Sequence, residues 1–265
     1  MRVFICVDME GISGVTTFEE TTAGKPDYEY FRRQMHKETN AAIKGALQAG
    51  ATHIVVRDGH DTACNLLPEE LCVEADLIRN WSGGLYGMME GLDDTFDAVV
   101  FVGHHAKANT PHGVLKHTMS MKVNDLRVNG LSLPEVGWNA LIAGYHGVPV
   151  VFVSGDSAVC EQAQALFENV VTVPVKEGRG LAALHRHPEK TRLFIEDGVK
   201  KALLERSGCK PFVLGDEYTV AIEFNCEPPA YRGEWYPGAV RTGNCTLQFS
   251  SLDFMDCLRF FEFVT

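Results

Sequence analysis

The sequence predicts an α/β fold with a mostly parallel, doubly wound sheet and a smaller C-terminal α+β lobe. Short apolar runs rich in Val, Ile and Phe recur along the first part of the chain, and a polar or glycine-containing segment follows each run. Such runs are typical of strands that are buried on both faces of a parallel sheet. The four runs are Val3–Val7, Ile54–Val56, Val99–Val102 and Val148–Val153.

Segments with helical periodicity separate the predicted strands. Within Tyr28–Ala49, Phe31, Met35 and Ile43 recur at helical spacing, and Gly50 follows the end of the pattern. The first strand, this helix and the second strand would form a right-handed βαβ unit. Three more segments are predicted to be helical: Leu133–Tyr145, 157–168 and 189–206.

The pattern changes after about residue 212, where short alternating segments favour antiparallel strands. Tyr218–Phe224 and Cys245–Phe249 are predicted as strands, with a loop from Glu227 to Gly238 between them. We therefore expect residues 1–170 to form the α/β core. Residues 171–265 would form the smaller α+β lobe, packed on that core as one unit.

Composition excludes several classes of partner. The formal net charge of -11 disfavours nucleic-acid binding, which needs a basic surface. No apolar stretch approaches the roughly 20 residues of a membrane span, and no secretory signal is visible. The eight cysteines never form a C-x-x-C motif, which favours reduced thiols over a disulfide framework. We expect a cytoplasmic protein with neither a nucleic-acid nor a membrane partner.

Carboxylates or imidazoles follow all four apolar runs, and Asp156 follows the fourth. Asp8 and Glu10 come after the first run, His60 after the second, and the pair His104 and His105 after the third. Ligands of parallel α/β sheets bind at the carboxyl ends of the strands, so these side chains should converge. Each segment alone could be a turn or a structural histidine, but two adjacent imidazoles at a strand end favour a function. Together these segments predict a metal site in the α/β core.

The types of side chain narrow the choice of metal and chemistry. Imidazoles and carboxylates without thiolates suit Zn²⁺, Mn²⁺, Fe²⁺ or Co²⁺ and disfavour a structural zinc site. A set of several carboxylates and imidazoles can hold two metals, which polarise a carbonyl and lower the pKa of a bound water. The sequence therefore predicts a dinuclear metal-dependent hydrolase.

The segment Val7–Gly14 resembles the opening motif of the zinc-dependent D-aminopeptidase family, whose founding members come from bacterial dipeptide operons. Further motifs that resemble this family follow in the family order and cover essentially the whole chain. They are Met35–Ala41, Asp58–His60 with Asn65–Leu66, Met89–Asp97, Gly103–Lys107, His117–Met119, Pro134–Ala140 and Pro149–Asp156.

The resemblance implies a dinuclear zinc aminopeptidase that hydrolyses short peptides with a free N-terminal residue, especially D-amino-acid peptides. His117 corresponds to the family's catalytic histidine, and Asp8 would bridge two Zn²⁺ ions per chain. The family's self-compartmentalising rings imply a large homo-oligomer, a decamer. The implied metal ligands are Asp8, Glu10, His60, His105 and Glu135.

Glu135 needs a separate argument, and three residues near this set have less certain roles. Glu135 alone would be interpreted as a favourable charge in the first turn of a helix, and only the resemblance makes it a ligand. Of the adjacent histidines, His105 matches the family ligand, and neighbouring side chains of an extended segment point to opposite sides. We therefore expect His104 to face away from the metal. His112 lies in an insertion near His117, and Asn139 follows Glu135 by one helical turn and could bind substrate.

Two other functions remain open from the sequence. The same centre could serve a related amidase, a deacylase or an L-peptide aminopeptidase, because no motif encodes the shape of the substrate pocket. The chain could also be a non-catalytic, metal-stabilised ring assembly. The imidazole-rich segment from His104 to His117 disfavours this second alternative, because structural metal sites are closed and need no additional histidines.

Overall fold

The computed structural model describes residues 1–265 and contains twelve strands in two sheets. The strands in chain order are β1 (Arg2–Val7), β2 (His53–Asp58), β3 (Ala75–Ile78), β4 (Ala98–His104), β5 (Val123–Val128), β6 (Leu131–Ser132), β7 (Val150–Asp156), β8 (Val171–Arg179), β9 (Ala182–His185), β10 (Tyr218–Phe224), β11 (Val240–Arg241) and β12 (Thr246–Ser251).

Seven α-helices accompany the strands. They are α1 (Phe18–Thr21), α2 (Tyr28–Gln48), α3 (Glu135–Tyr145), α4 (Ser157–Leu166), α5 (Pro188–Leu204), α6 (Glu227–Gly233) and α7 (Phe254–Val264). None of them combines the length and the apolar character that a membrane span requires.

The first sheet has seven strands in the order β3-β2-β1-β4-β7-β8-β9. All neighbouring strands are parallel except the antiparallel hairpin formed by β8 and β9. The second sheet is antiparallel, with the order β11-β12-β10-β5-β6. The prediction of a mostly parallel α/β sheet with additional antiparallel structure is therefore confirmed.

Each sheet contains strands from both sides of the predicted division at residue 170. β8 and β9 follow that position but extend the parallel sheet, whereas β5 and β6 precede it but join the antiparallel sheet. The boundary between the sheets therefore does not coincide with a single point in the sequence. Strand β5 was not predicted, because its buried residues Val123, Leu126 and Val128 do not alternate regularly with exposed ones.

The predicted loop from Glu227 to Gly238 contains helix α6 instead of irregular structure alone. Two prolines lie in the first turn of α6, where a missing backbone N–H costs nothing because the helix leaves that group unpaired. Ala230 and Gly233 are the buried residues of the helix. The prolines thus lie at the start of a short helix within the segment predicted to be a loop.

The parallel sheet buries both of its faces. Val3, Ile5 and Val7 pack in one apolar cluster with residues of α2 and α5, whereas Phe4 and Cys6 belong to the cluster that contains α3, α4 and the second sheet. Alternate residues of β1 thus enter different cores. This two-sided burial explains why the predicted strands are continuous apolar runs.

The register of the parallel strands brings three loops that carry carboxylates or imidazoles to one edge of the sheet. Val7 pairs with Asp58 of β2 and with Val102 of β4, so the segments that follow residues 7, 58 and 102 lie side by side. The Gly11 N–H donates to the carbonyl of Gly103 at 2.7 Å. A Cβ atom on Gly11 would lie 1.9 Å from the His104 carbonyl oxygen, so the close approach of these loops requires glycine.

Gly11→Ala should therefore destabilise the protein by at least about 1–3 kcal/mol, the usual cost of overpacking, because the clash is with backbone that cannot rotate away. Thermal or denaturant unfolding measures the effect. Gly208→Ala is the matched control, since its Cβ would meet only Asn169 side-chain atoms at ordinary distances. Equal stability of the two variants would contradict this packing account.

Candidate metal centre

The residues predicted as metal ligands meet at the carboxyl edge of the parallel sheet. Asp8 and Glu10 follow β1, His60 follows β2, and His105 follows β4. Glu135 is the first residue of α3, which contacts β4. All five side chains are buried, although they come from four separate parts of the sequence.

Asp8 lies at the centre of the cluster and faces two imidazoles with different oxygens. Its Oδ1 is 3.2 Å from His60 Nδ1, and its Oδ2 is 3.4 Å from His105 Nε2. The Asp8 N–H donates to the Val102 carbonyl, which continues the ladder between β1 and β4. The backbone thus holds this carboxylate between the loops after β2 and β4, in the arrangement of a carboxylate that can serve two cations.

A second carboxylate lies beside each of these imidazoles. Glu10 Oε2 is 2.9 Å from His60 Nδ1, and Glu135 Oε1 is 3.3 Å from His105 Nε2. The cluster therefore consists of two carboxylate–imidazole sets that share Asp8. Glu135 is held in place by the Met119 N–H, which donates to its Oε1 at 2.6 Å.

Each imidazole uses its other ring nitrogen to contact a backbone carbonyl. His60 Nε2 lies 2.8 Å from the Thr21 oxygen, and His105 Nδ1 lies 3.0 Å from the Ala106 oxygen. In a neutral imidazole, a ring N–H that donates to a carbonyl fixes the tautomer and leaves a lone pair on the opposite nitrogen. In both residues that opposite nitrogen faces the carboxylates. This is the arrangement in which histidine binds metals.

The donor atoms fit a bound transition metal. His105 Nε2 and Glu10 Oε2 form no hydrogen bond although they are buried and close to oppositely charged groups. Asp8, Glu10 and His105 place one donor atom each within 4.8 Å of one another. Only imidazole nitrogens and carboxylate oxygens converge, which is the donor set of zinc and related divalent ions in hydrolases.

The electrostatics of the metal-free cluster also indicate a cation site. Burial, and then the Glu10 carboxylate, raises the pKa of Asp8 to about 7. Burial lowers the pKa of His105, but the Glu135 and Asp8 carboxylates outweigh it and raise that pKa to about 10. Protons thus neutralise the cluster when no metal is bound. Metal binding to such a site displaces protons from the same donor atoms.

His117 lies directly over this cluster. Its ring stacks on His105 with a centroid distance of 4.0 Å, and its Nε2 is 3.6 Å from Glu135 Oε1. The Nδ1 atom contacts the Leu115 carbonyl at 2.9 Å, which leaves Nε2 free. Burial, and then the charge on His105, lowers the pKa of His117, which favours a neutral imidazole at neutral pH. A neutral imidazole at this position can accept and return a proton.

The cluster opens into a cavity of about 490 Å³. Asp8, Glu10, His60, Glu135 and His117 line this cavity, whereas His105 lies beneath His117. The remaining wall combines apolar surface with two further carboxylates. It includes Phe18, Trp81, Met88, Met121, Phe261, Asp61 and Glu262.

The loop that carries His117 contains unusual backbone conformations. Asn109, His112, Leu115 and Met119 all have positive φ angles between 52° and 61° although none is glycine. Left-handed conformations at such residues are uncommon and mark places that the surrounding structure fixes. Leu115 and Met119 supply the carbonyl that contacts His117 and the N–H that binds Glu135. The strained positions thus fix two side chains of the cluster.

The three residues of less certain role occupy different places. His104 is fully buried, its Nδ1 is 4.0 Å from Asp8 Oδ2, and neither ring nitrogen forms a hydrogen bond. It therefore does not face away from Asp8, as strict alternation would require, although His105 is nearer. His112 is exposed and outside the cavity lining. Asn139 is buried and donates to Met88 Sδ at 3.2 Å, so it supports the cavity wall from behind.

Several residues of the site gave no signal in the sequence. The Thr21 carbonyl, which orients His60, lies in the four-residue helix α1 and belongs to no recognisable motif. Phe261 and Glu262 reach the cavity from the C-terminal helix α7, far along the chain. Trp81 contacts the loop after β2 by donating from its indole N–H to the Asp61 carbonyl. Only the folded chain brings these groups together.

Comparison with known proteins identifies relatives of the whole chain. The M55 peptidase family, described as D-aminopeptidase, matches residues 1–263. A D-aminopeptidase of Bacillus subtilis (strain 168) is 37% identical over 260 residues, which cover 97% of this chain and 93% of the relative.

A solved structure agrees with the sequence comparison. It is described as the Zn-dependent D-aminopeptidase DppA from Bacillus subtilis, a self-compartmentalizing protease. The fold superposes with a TM-score of 0.95 at 35% identity and covers 100% of this chain and 96% of that one. Sequence and fold lead to the same result: the chain belongs to the M55 family of D-aminopeptidases.

Proposed function

We propose that this protein is a dinuclear zinc aminopeptidase that removes the N-terminal residue from short D-amino-acid peptides. The observation that carries the proposal is the position of Asp8, whose two carboxylate oxygens each face a ring nitrogen of a different imidazole. Family membership supports the choice of zinc and of D-peptides, because the related DppA is a Zn-dependent D-aminopeptidase.

The proposed ligands form two sets that share one residue. Glu10 and His60 would hold one ion, His105 and Glu135 would hold the other, and Asp8 would bridge the two. The pairing follows the distances in the cluster, since Glu10 contacts His60 and Glu135 contacts His105. When bound, such a pair of ions polarises the scissile carbonyl and lowers the pKa of a water molecule.

His117 is the proposed catalytic acid and base. Its Nε2 faces the cavity side of the cluster and is held there by the contact of Nδ1 with the Leu115 carbonyl. As a neutral imidazole, it can accept a proton at Nε2 from the attacking water and donate that proton to the nitrogen of the leaving amine. The adjacent Glu135 carboxylate would stabilise the imidazolium that forms between these two steps.

The cavity suits the free amino end of a short peptide. Its volume of about 490 Å³ is in the range of small-ligand sites. The carboxylates of Asp61 and Glu262 lie in its wall and favour a positively charged α-ammonium group. Phe18, Trp81 and Phe261 offer apolar surface for the side chain of the substrate.

We further propose that the chain acts in the cytoplasm as a large, ring-shaped homo-oligomer, a decamer. The related DppA is described as a self-compartmentalizing protease, which requires an enclosed assembly. Several large apolar side chains are exposed on the single chain, among them Leu181, Trp235 and Phe263. Association would remove such surface from water.

A panel of short peptides tests the proposed function. D- and L-peptides, each with a free or an acetylated amino end, should be incubated with the zinc-loaded protein, and released amino acids should be quantified. We expect turnover of D-peptides with a free amino end only. Cleavage of acetylated peptides would indicate a deacylase or amidase, preference for L-peptides would indicate an L-aminopeptidase, and no cleavage would favour the non-catalytic assembly.

Asp8→Ala should remove stable binding of both metal ions, because one carboxylate contacts both halves of the cluster. Elemental analysis of the wild type should give close to two zinc ions per chain, and chelation should abolish turnover. Asp61→Ala is the control, since Asp61 lines the cavity outside the cluster and should retain both ions. Full zinc content in Asp8→Ala, or wild-type turnover that survives chelation, would refute the dinuclear assignment.

His117→Ala should lower turnover by roughly 10²- to 10⁴-fold, the usual contribution of a positioned general acid or base. Zinc content should remain near that of the wild type, and kcat should fall more than substrate affinity because the contact forms in the transition state. The exposed His112 of the same loop provides the control, and His112→Ala should be fully active. Unchanged turnover in His117→Ala would move the catalytic role to another residue.

A further inference from the structure

A buried lysine lies beneath the loop that carries Asp8 and Glu10. Lys176, near the end of β8, is only 2% exposed and pairs in the sheet with Asp156 of β7. Its ammonium group donates to the backbone carbonyls of Glu10, of Ile12 at 3.1 Å and of Val15 at 2.7 Å. One of its three acceptors thus belongs to a residue of the metal cluster itself.

These contacts use the full donor capacity of the side chain. An ammonium group has three N–H donors and no acceptor, and all three donors have a partner here. Burying a lysine is costly unless its charge is compensated in this way. The three carbonyls come from residues 10–15, a stretch that contains no helix or strand. The hydrogen bonds of a regular helix or sheet therefore do not hold these carbonyls in position.

Two other side chains anchor the same stretch at residues beyond Glu10. Glu38 of α2 accepts a hydrogen bond from the Ser13 N–H at 3.0 Å. His185 of β9 accepts from the Gly14 N–H at 3.1 Å and contacts the Thr16 hydroxyl at 2.9 Å. Lys176 alone among these residues contacts the backbone of Glu10. It therefore connects the end of β8 directly to the cluster.

We propose that Lys176 is a positioning residue that fixes the backbone of Glu10 and thereby sets the affinity of the metal centre. The inference rests on the proposed function, because it takes Glu10 as a metal ligand. Groups that orient ligands are as much a part of a metal site as the ligands themselves. Without the ammonium group, the Glu10 carbonyl would lose its charged partner and the Glu10 carboxylate would no longer be held beside His60.

Lys176→Met tests the proposal, since it keeps the aliphatic length of the side chain and removes all three donors. Zinc affinity, measured by competition with a coloured chelator, should fall about 10- to 100-fold, the usual effect of losing a group that orients a ligand. At saturating zinc, kcat should fall more than KM changes. Lys176→Arg retains a cation with several donors and should recover most of the zinc affinity.

His185→Ala is the matched control. It removes an anchor of the same stretch, from the same hairpin, without touching Glu10, so zinc affinity should stay at the wild-type level while the unfolding temperature falls. If Lys176→Met does not fold, Lys176→Gln keeps a polar side chain but is shorter and uncharged, so it no longer places a charged donor at the Glu10 carbonyl and should also lower zinc affinity.

The outcomes separate this proposal from the proposed function. A wild-type protein that binds no zinc would refute the proposed function itself. A wild type that binds zinc, together with a folded Lys176→Met or Lys176→Gln variant of equal zinc affinity, would refute the positioning role alone. In that case Lys176 would serve only the stability of the fold.

Discussion

The structure depends on the burial of three carboxylates, those of Asp8, Glu10 and Glu135, at one edge of a parallel sheet. Buried charges of one sign are strongly unfavourable unless cations compensate them. In the metal-free chain the compensation comes from protonated His60 and His105, whose pKa values the carboxylates raise against the effect of burial. Divalent metal ions would supply the same compensation and would leave the imidazoles neutral. The cluster is therefore organised for cations.

The parallel sheet is what makes this concentration of charge possible. Its strands end side by side, so the loops after β1, β2 and β4 must share one edge, and their order in the sheet places Asp8 between His60 and His105. Gly11 permits the first loop to lie against the third. Helix α7, which packs on β10 and β12 of the antiparallel sheet, contributes Phe261 and Glu262 to the cavity wall.

Much of this site could be predicted from the sequence because its strands are continuous apolar runs, and the residues that follow each run are easy to identify. Asp8, Glu10, His60 and His105 each lie within a few residues of the end of an apolar run, and parallel sheets bind ligands at strand ends. Glu135 and His117 were different, because a helix-start carboxylate and a loop histidine each have an ordinary structural explanation. Only the ordered family motifs identified them, and the fold brings them to the cluster.

Other features could not be predicted, for physical reasons. The Thr21 carbonyl and the Met119 N–H are backbone groups, which every residue carries, so no sequence pattern marks them. Lys176 lies in β8, within a run of valines, where its buried ammonium depends on carbonyls some 160 residues earlier in the chain. Likewise, β5 joins the antiparallel sheet and β8 joins the parallel sheet because of pairing between residues far apart in the sequence. Local sequence patterns carry no information about such pairing.

The central claim is that Asp8 joins two metal ions in one centre. Anomalous diffraction at the zinc absorption edge, recorded from crystals of the zinc-loaded protein, tests it most directly. The account predicts two strong peaks per chain, roughly 3.5–4 Å apart, with the Asp8 carboxylate between them, Glu10 and His60 at one peak and His105 and Glu135 at the other. A single peak, or peaks away from Asp8, would contradict it.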